Sequence, residues 1–329
     1  MDIPGFSLDL SAVGQGQGPS TDELYDVLVL GGGPAAMTAT LYAARKMLKV
    51  AVLTKDFGGQ VTETSDIENY MGFQTIKGED LARKFQEQVL AFDVPVRRDD
   101  TVKTVRKEGD EFLVNMESGR TFRGRTVIVA TGKRSRPLNV PGEKEFAGKG
   151  VAYCATCDAP FYKDKRVVVA GGANSAFTAA MDLLKVNATV TMVNFVEGWQ
   201  ADQVLMDAIA DNSRLTLYDH HEILRIEGDD RVRAVVIRDR ASGEEKIIET
   251  DGIFVEIGLL PNSEPVAELA ERTPWGEVQV DCHCRTNVAG LFAAGDVTTV
   301  PYKQIIISAG EGAKAALAAY DYLASQGWL

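Results

Sequence analysis

The stretch Tyr25-Asp-Val-Leu-Val-Leu-Gly31-Gly-Gly33-Pro-Ala-Ala36 decides the fold. An apolar run of strand length ends in three glycines, and a segment of good helix formers follows to about Lys46. Strand, tight turn and helix in this order put the G-x-G-x-x-A pattern in the setting that a dinucleotide needs. Gly31 permits the turn, Gly33 lets the backbone approach a pyrophosphate, and Ala36 lets helix and strand pack closely. The first turn of the helix then offers free N–H groups to the anion. Leu48 to Leu53 reads as the second strand, and the four parts together argue against an ordinary Gly-rich turn. Thr54, Lys55 and Asp56 follow that strand, so the acid that often reads a ribose is displaced and the turn alone does not name the nucleotide.

Further along, Gly58-Gly-Gln60 and Ile67-Glu-Asn69 bring polar amides back toward the same rim. A helix is predicted from about Gly78 to Ala91, with strands at 101–105, 112–116 and 120–123. Thr126-Val-Ile-Val-Ala130-Thr131-Gly132 is another buried strand ending in a small-residue turn. Pro137 then favours an extended crossing, and residues 137–258 read as an insert with its own unit. That unit comprises the strand Arg166 to Ala170, the turn Gly171-Gly-Ala173-Asn-Ser-Ala176, a helix to Lys185 and the strand Ala188 to Val193. Gly290-Leu-Phe-Ala-Ala-Gly295-Asp296 again presents a glycine and an acid after an apolar strand, and Ser308 to about Ser325 reads as a helix. The expected fold is α/β: two nested Rossmann-like dinucleotide-binding domains, with 24–136 and 259–329 forming the outer one, 137–258 inserted, and 1–23 a flexible tail.

The chain has 329 residues, 45% of them apolar, and a net charge of −12. Its acidity excludes a general affinity for nucleic acid or anionic membrane. No apolar run reaches the length of a membrane span, and the first 22 residues lack the basic and apolar regions of a secretory signal. A cytoplasmic enzyme is expected. Four cysteines are too few for a disulfide-stapled scaffold.

Two of those cysteines carry the only evident covalent chemistry, in Val151-Ala-Tyr-Cys154-Ala-Thr-Cys157-Asp158. The C-x-x-C spacing lets both side chains meet on one turn, and Asp158 stands next to the second thiol, where a proton must move as a thiolate forms. Half of a structural zinc site is the alternative. It would need further ligands nearby, whereas Cys282 and Cys284 are distant and spaced C-x-C. Cys282 and Cys284 are predicted on a strand, facing one side as two buried thiols.

Taken together, the Gly-Gly-Gly-Pro turn, Gly-Gly-Gln, Glu-Asn, Ala-Thr-Gly, Cys-Ala-Thr-Cys-Asp and Ala-Ala-Gly-Asp resemble the low-molecular-weight thioredoxin reductases, over about Leu24 to Leu323. The larger disulfide reductases match less well, because they carry their cysteine pair near the first turn and a histidine near the C-terminus. Here the histidines are His220, His221 and His283. The resemblance implies FAD in the outer domain. Its contacts would be Gly31, Gly33, Pro34 and Ala35, with Gln60, Asn69, Ala130, Thr131, Gly132, Gly295 and Asp296 around the rest and Lys303, Gln304 and Ile305 against the flavin ring. It implies Cys154 and Cys157 as the redox disulfide, Asp158 as proton donor and acceptor, a thioredoxin-like protein as substrate, and a homodimer. The inner domain would have to swing for the pair to meet a protein disulfide, with hinges near Lys133 to Pro137 and Gly258 to Asn262.

The second nucleotide site departs from the family. Ala173 stands where relatives that use NADPH have a third glycine, and Asn194-Phe195-Val196, with Gln200, replaces the run of basic residues that grips the 2′-phosphate. Each charge-assisted bond to that phosphate contributes about 1.5 to 3 kcal/mol, so losing three removes most of the grip. Arg214 is the nearest arginine downstream. The chain therefore resembles the members that lack the NADPH motif, some of which take electrons from reduced ferredoxin. Arg97, Arg98, Lys103, Arg106 and Lys107, with Lys133, Arg134 and Arg136, form the candidate docking patch for such a donor. An NADPH-dependent reductase with an atypical pocket and a flavin-dependent dithiol oxidase remain alternatives. Trp328 reads either as a loose tail or as a ring stacked on the flavin.

Overall fold

The computed structural model describes residues 18–63, 66–67, 69–153 and 155–329, without the side chains of Glu63, Asp66, Thr156 and Cys157. Most of the expected tail, residues 1–17, lies outside this range, as does Cys154. The chain forms two compact units. Residues 18–62, 67–133 and 261–329 make the first, and 134–260 the second.

The first unit opens with β1 (Leu24–Leu30), α1 (Pro34–Arg45) and β2 (Val50–Leu53). It continues through α2 (Gly78–Leu90), β3 (Val96–Arg97), β4 (Val102–Glu108), β5 (Glu111–Met116) and β6 (Thr121–Val129). The second unit holds β7 (Val151–Ala152), α3 (Ala155–Asp158), β8 (Arg166–Ala170), α4 (Asn174–Lys185), β9 (Thr189–Val193), α5 (Gln203–Ile209) and β10 (Leu215–Tyr218). Then come β11 (His221–Gly228), β12 (Val232–Asp239), β13 (Glu245–Glu249) and β14 (Gly252–Val255). Back in the first unit are β15 (Leu291–Ala293) and α6 (Ile305–Ser325).

The first sheet runs β3-β2-β1-β6-β5-β4, with β15 beside β6. Alternate residues of its central strands feed two cores. Val27, Val29, Val50, Val52 and Ile128 face the alanine-rich sides of α1 and α6, while Leu28, Leu30, Leu53, Val127 and Val129 face Phe112, Phe122, Val266 and Val278. Burial on both faces explains why these strands read as continuous apolar runs. The two helices approach so closely that a Cβ at Gly312 would lie 2.1 Å from the Ala35 carbonyl oxygen. Where two strands are predicted, at 120–123 and 126–130, the structure has the single strand β6. Its first half pairs antiparallel with β5 and its second half parallel with β1. Gly124 makes this continuity possible, since a Cβ there would meet Leu28 at 2.8 Å.

In the second unit the parallel sheet β7-β14-β8-β9-β10 lies between two layers. Val167, Val169, Val190, Met192 and Phe254 pack with α4 residues such as Phe177 and Leu183. Val168, Ala170, Val193, Ile253 and Val255 pack against Ile226, Val235 and Ile237 of the antiparallel sheet β11-β12-β13.

Two C-terminal expectations are corrected. Cys282 and Cys284 lie in a turn, where the Asp281 carboxylate accepts the backbone N–H groups of His283 and Arg285 at 2.8 and 2.9 Å. Aspartate caps its own turn in this way in preference to continuing a strand. Cys284 takes φ +63° and is fully buried, while Cys282 is exposed. Trp328 is neither loose nor near the predicted flavin contacts. It packs edge-on to Tyr322 with centroids 6.0 Å apart, beneath the Arg125 guanidinium at 4.7 Å. Gln304 and Ile305 sit at the other end of α6, a 21-residue helix about 30 Å long. Among the described residues no helix is long and apolar enough to cross a membrane.

Candidate functional site

In the first unit Leu30, Leu53, Val129 and Ala293 are in register at the carboxyl ends of parallel strands. The loops that follow them share one rim, the usual ligand crevice of an open α/β sheet. Gly31, at φ +117°, turns the chain against β6, where a Cβ would lie 2.3 Å from the Ala130 carbonyl oxygen. Gly33 precedes Pro34 and Ala35, the first residues of α1. A Cβ on Gly33 would meet only the Gly58 carbonyl oxygen at 3.9 Å, and one on Gly132 would meet nothing within 4 Å. Both backbones therefore lie open to a ligand, and Gly59 comes within 3.5 Å of Gly33 by the same measure.

The remaining predicted contacts of this unit reach the same rim. Ala130, Thr131 and Gly132 are held by Asn262, whose side-chain amide donates to the Thr131 carbonyl at 2.9 Å while Thr131 Oγ1 donates to the Asn262 carbonyl at 2.6 Å. Gly295 abuts Ala35, and the Asp296 carboxylate accepts from Ser308 Oγ at 3.0 Å. Gln60 follows Gly59 in a short 3₁₀ turn. Asn69 Nδ2 donates to Gln304 Oε1 at 3.0 Å, and Ile305 packs on the small cluster of Val61, Ile67 and Leu81. Lys303 lies close enough to feel the Asp296 charge. Its ammonium donates to the Thr298 carbonyl at 2.5 Å and pairs with Glu277 at 3.4 Å, beside Lys133 at 2.8 Å. Burial, then the neighbouring Lys133 charge, holds its pKa below the ordinary lysine range. The cradle of open glycine backbone at a helix start fits a dinucleotide pyrophosphate.

In the second unit Ala170 is in register with Val193 and Val255, and Ala152 with Phe254. The segment 153–158 thus leaves the same sheet edge as the turn at Gly171. Cys154 and the Cys157 side chain lie outside the described residues, but the residues on both sides of Cys154 are anchored. The Tyr153 phenol donates to the carboxylate of buried Glu143 at 2.9 Å. The backbone N–H of Ala155 donates to the Glu256 carboxylate. Burial followed by the Glu143 contact pushes Tyr153 up to about 12. Asp158 borders a cavity of about 380 Å³ lined also by Phe161, Tyr162, Lys165 and Arg231, and its burial raises its pKa above the usual carboxylate range.

Along the rest of this edge stand the residues that depart from the family pattern in sequence. Asn194 is 3% exposed and lies over Gly172, where a Cβ would meet its side chain at 2.4 Å. Its Nδ2 faces the carbonyls of Val196 and Gly198 and the Asp219 carboxylate at 2.8 to 3.0 Å. The Gln200 amide donates to the Gly198 carbonyl. Arg214 is spent on Asn187 and the Leu184 carbonyl, where α4 ends. Ala173 caps α4 in extended backbone, so its methyl group is accommodated without strain. Sequence reasoning misses Arg240. From the turn after β12 its guanidinium lies 4.0 Å from the ring centroid of exposed Phe195 and donates to the Phe195 carbonyl at 2.9 Å.

Several residues of the predicted basic patch have partners within the first unit. Arg97 pairs with Asp100, Arg98 lies over the Phe57 ring, Lys107 donates to the Ala289 carbonyl, and Lys133 pairs with Glu277. Lys103 and Arg106 stand exposed on β4. Among the described residues no group of three or more His, Cys, Asp or Glu side chains is placed to hold a metal ion.

An α/β chain with two dinucleotide rims, one beside a C-x-x-C segment, defines a class of redox proteins, and comparison with known proteins agrees. Residues 25–317 match the pyridine nucleotide-disulphide oxidoreductase family, and the chain belongs to it. It is 44% identical over 301 residues to the NADH dehydrogenase of Bacillus subtilis (strain 168), covering 92% of this chain and 59% of that protein. It is 43% identical over 305 residues to an Escherichia coli (strain K12) alkyl hydroperoxide reductase subunit, covering 92% and 58%. The chain thus spans less than two thirds of these relatives. Among solved structures, Lactococcus lactis thioredoxin reductase in its FR conformation superposes with a TM-score of 0.77 at 34% identity, covering 92% of this chain and 99% of that one. A ferredoxin-flavin thioredoxin reductase from Clostridium acetobutylicum gives 0.52 at 28%, covering 93% and 100%. The protein is an enzyme of this family, and FAD is its cofactor.

Proposed function

We propose that this enzyme is a flavoprotein disulfide reductase that reduces a thioredoxin-like protein through Cys154 and Cys157 and does not draw its electrons from NADPH. FAD, when bound on the first rim, supplies a two-electron redox centre. One thiolate of the reduced pair attacks a sulfur of the partner's disulfide, forming a mixed disulfide and releasing one partner thiolate. The other cysteine displaces the second, which closes the Cys154–Cys157 disulfide and leaves the partner as a dithiol two electrons richer. The partner's sulfurs need two protons. Asp158, with its raised pKa and its place beside a cavity, is suited to exchange them.

The donor claim rests on one observation: Asn194 and Gln200, where a 2′-phosphate would need guanidinium or ammonium groups, spend their side-chain amides on the loop 194–200 and on Asp219. The solved relatives named thioredoxin reductases support the choice of substrate. NADH is the second reading. A curated relative is named NADH dehydrogenase, and NADH has no 2′-phosphate to hold. Anaerobic titration of the oxidised protein with NADPH, NADH and reduced ferredoxin, followed by flavin absorbance, tests both. Bleaching by micromolar NADPH defeats the donor claim, bleaching by NADH alone selects the second reading, and bleaching by ferredoxin alone selects a protein donor.

A further inference from the structure

Two lysines of the first unit share one carboxylate. Lys133 Nζ and Lys303 Nζ lie 2.8 and 3.4 Å from the same atom, Glu277 Oε1, and none of the three side chains is more than 23% exposed. Burial works to raise the Glu277 carboxyl, but Lys133, then Lys303, hold it below the ordinary carboxylate range. Two ammoniums on one carboxylate leave one positive charge over. The sheet order places this cluster on one half of the rim. The open backbone of Gly33 follows β1, and in a dinucleotide fold the ribose of the adenosine half is read at the end of the second strand. β2 lies on one side of β1, while β6 and then β15 lie on the other. The second half of a dinucleotide therefore runs over the ends of β6 and β15. Gly132, after β6, has nothing within 4 Å of a Cβ, and Lys133 is the next residue. Lys303 comes in from the loop after β15, tied to the Thr298 carbonyl at 2.5 Å, and is followed by Gln304 on Asn69.

We propose that Glu277 is a positioning residue for the FAD of this enzyme: by gathering Lys133 and Lys303 at the flavin half of the rim, it fixes how much positive charge the ring meets and so sets the flavin's midpoint potential. The physical reason is Coulombic. A flavin gains negative charge when it takes up electrons, so an uncancelled ammonium in a poorly screened place favours the reduced ring, and a carboxylate that cancels it favours the oxidised one. Glu277 cancels one lysine charge and leaves the other. The three residues come from separate parts of the chain, so the balance is a property of the fold and not of any one motif.

The inference needs neither the proposed cysteine chemistry nor a choice of electron donor, and its test is made where that chemistry is absent. In the holoenzyme carrying Cys154→Ser and Cys157→Ser the cysteine pair cannot take up electrons. Flavin absorbance is followed against a reference dye during anaerobic reduction by xanthine and xanthine oxidase, which reads the midpoint without turnover of any substrate of this enzyme. On this background Glu277→Gln should raise the midpoint and Lys303→Met should lower it, each by about tenfold in the reduction equilibrium, or about 30 mV for two electrons. Lys303→Arg keeps the charge and should stay near the parent. Glu277→Gln combined with Lys303→Met again leaves one positive charge, that of Lys133, and should return to the parent value. Unchanged midpoints in both single variants, shifts of one sign in both, or a combined variant that keeps the full shift of either would overturn the role of Glu277. Loss of FAD from all of these variants would overturn it too, because the cluster would then hold the cofactor and not tune it.

Discussion

Tyr153 Oη lies 2.9 Å from Glu143 Oε1, and this bond ties the residue before Cys154 to a carboxylate only 1% exposed. The same carboxylate accepts the backbone N–H groups of Leu138 and Asn139 at 2.8 and 2.7 Å. Removing one donor from a buried acceptor costs about 1 to 2 kcal/mol. Tyr153→Phe should lower the urea midpoint accordingly between pH 7 and 9. The sign at high pH follows from the raised phenol: the contribution is whole below the ordinary value of 10.0 and is lost as pH rises toward about 12. The gap between variant and parent should therefore close in alkali. A gap that stayed constant would show that the phenol's proton is not what stabilises the segment.

If the missing phosphate grip decides the donor, restoring it should change the preference. Phe195 and Val196 are 52% and 44% exposed, so arginines there disturb little packing, and Arg240 is already present beside Phe195. The double variant Phe195→Arg with Val196→Arg should bind NADPH at least tenfold better relative to NADH, since one charge-assisted bond contributes about 1.5 to 3 kcal/mol. The ratio of dissociation constants, read from tryptophan quenching, checks this without turnover. An unchanged ratio would mean that the pocket is closed to the ribose for another reason.

Much of this architecture is legible in the chain because local chemistry dictates it. Gly31 must take a positive φ and Gly33 must stay bare, so the first rim announces itself at a single turn. The residues that escape sequence reading act across space. Arg240 reaches Phe195 from 45 residues away, and nothing in the spacing links them. Glu256 belongs to no motif of the sequence, and only the fold sets it between the strands that lead into the cysteine segment and the Gly171 turn. The opposite error occurs at Cys282 and Cys284, where alternation suggests a strand but Asp281, one residue earlier, closes a turn. Likewise Arg123-Gly124-Arg125 looks like a break, yet a glycine opposite Leu28 lets β6 run through.

The two C-terminal thiols should differ sharply in reactivity. Cys284 Sγ donates to Glu311 Oε2 at 2.9 Å, and burial followed by that contact drives its pKa far above the ordinary thiol range. Reaction requires the thiolate. Brief iodoacetamide treatment of the oxidised, folded protein should label Cys282 and leave Cys284 unmodified until denaturant is added, as read by peptide mass spectrometry. Equal labelling in the folded state would contradict the buried Cys284–Glu311 pair.

The ionisation of Glu256 predicts a dependence of stability on pH. Its carboxyl titrates near 7 in the folded chain against an ordinary value of 4.5, with burial the main cause. The folded state therefore holds this proton more tightly than the unfolded state does. The group opposes folding more strongly as pH rises from 4.5 to 7, and the cost is constant above that range. A shift of this size corresponds to roughly 3 kcal/mol, which partial solvation reduces to about 2 kcal/mol. Glutamine cannot ionise, so Glu256→Gln should exceed the parent in stability by about that amount at pH 8 and match it near pH 5, measured by urea unfolding of the holoenzyme. A variant destabilised equally at both pH values would show that the carboxylate's hydrogen bonds to Ala155 and Ser175 outweigh its desolvation, and that the charge on Glu256 is not a strain this fold carries.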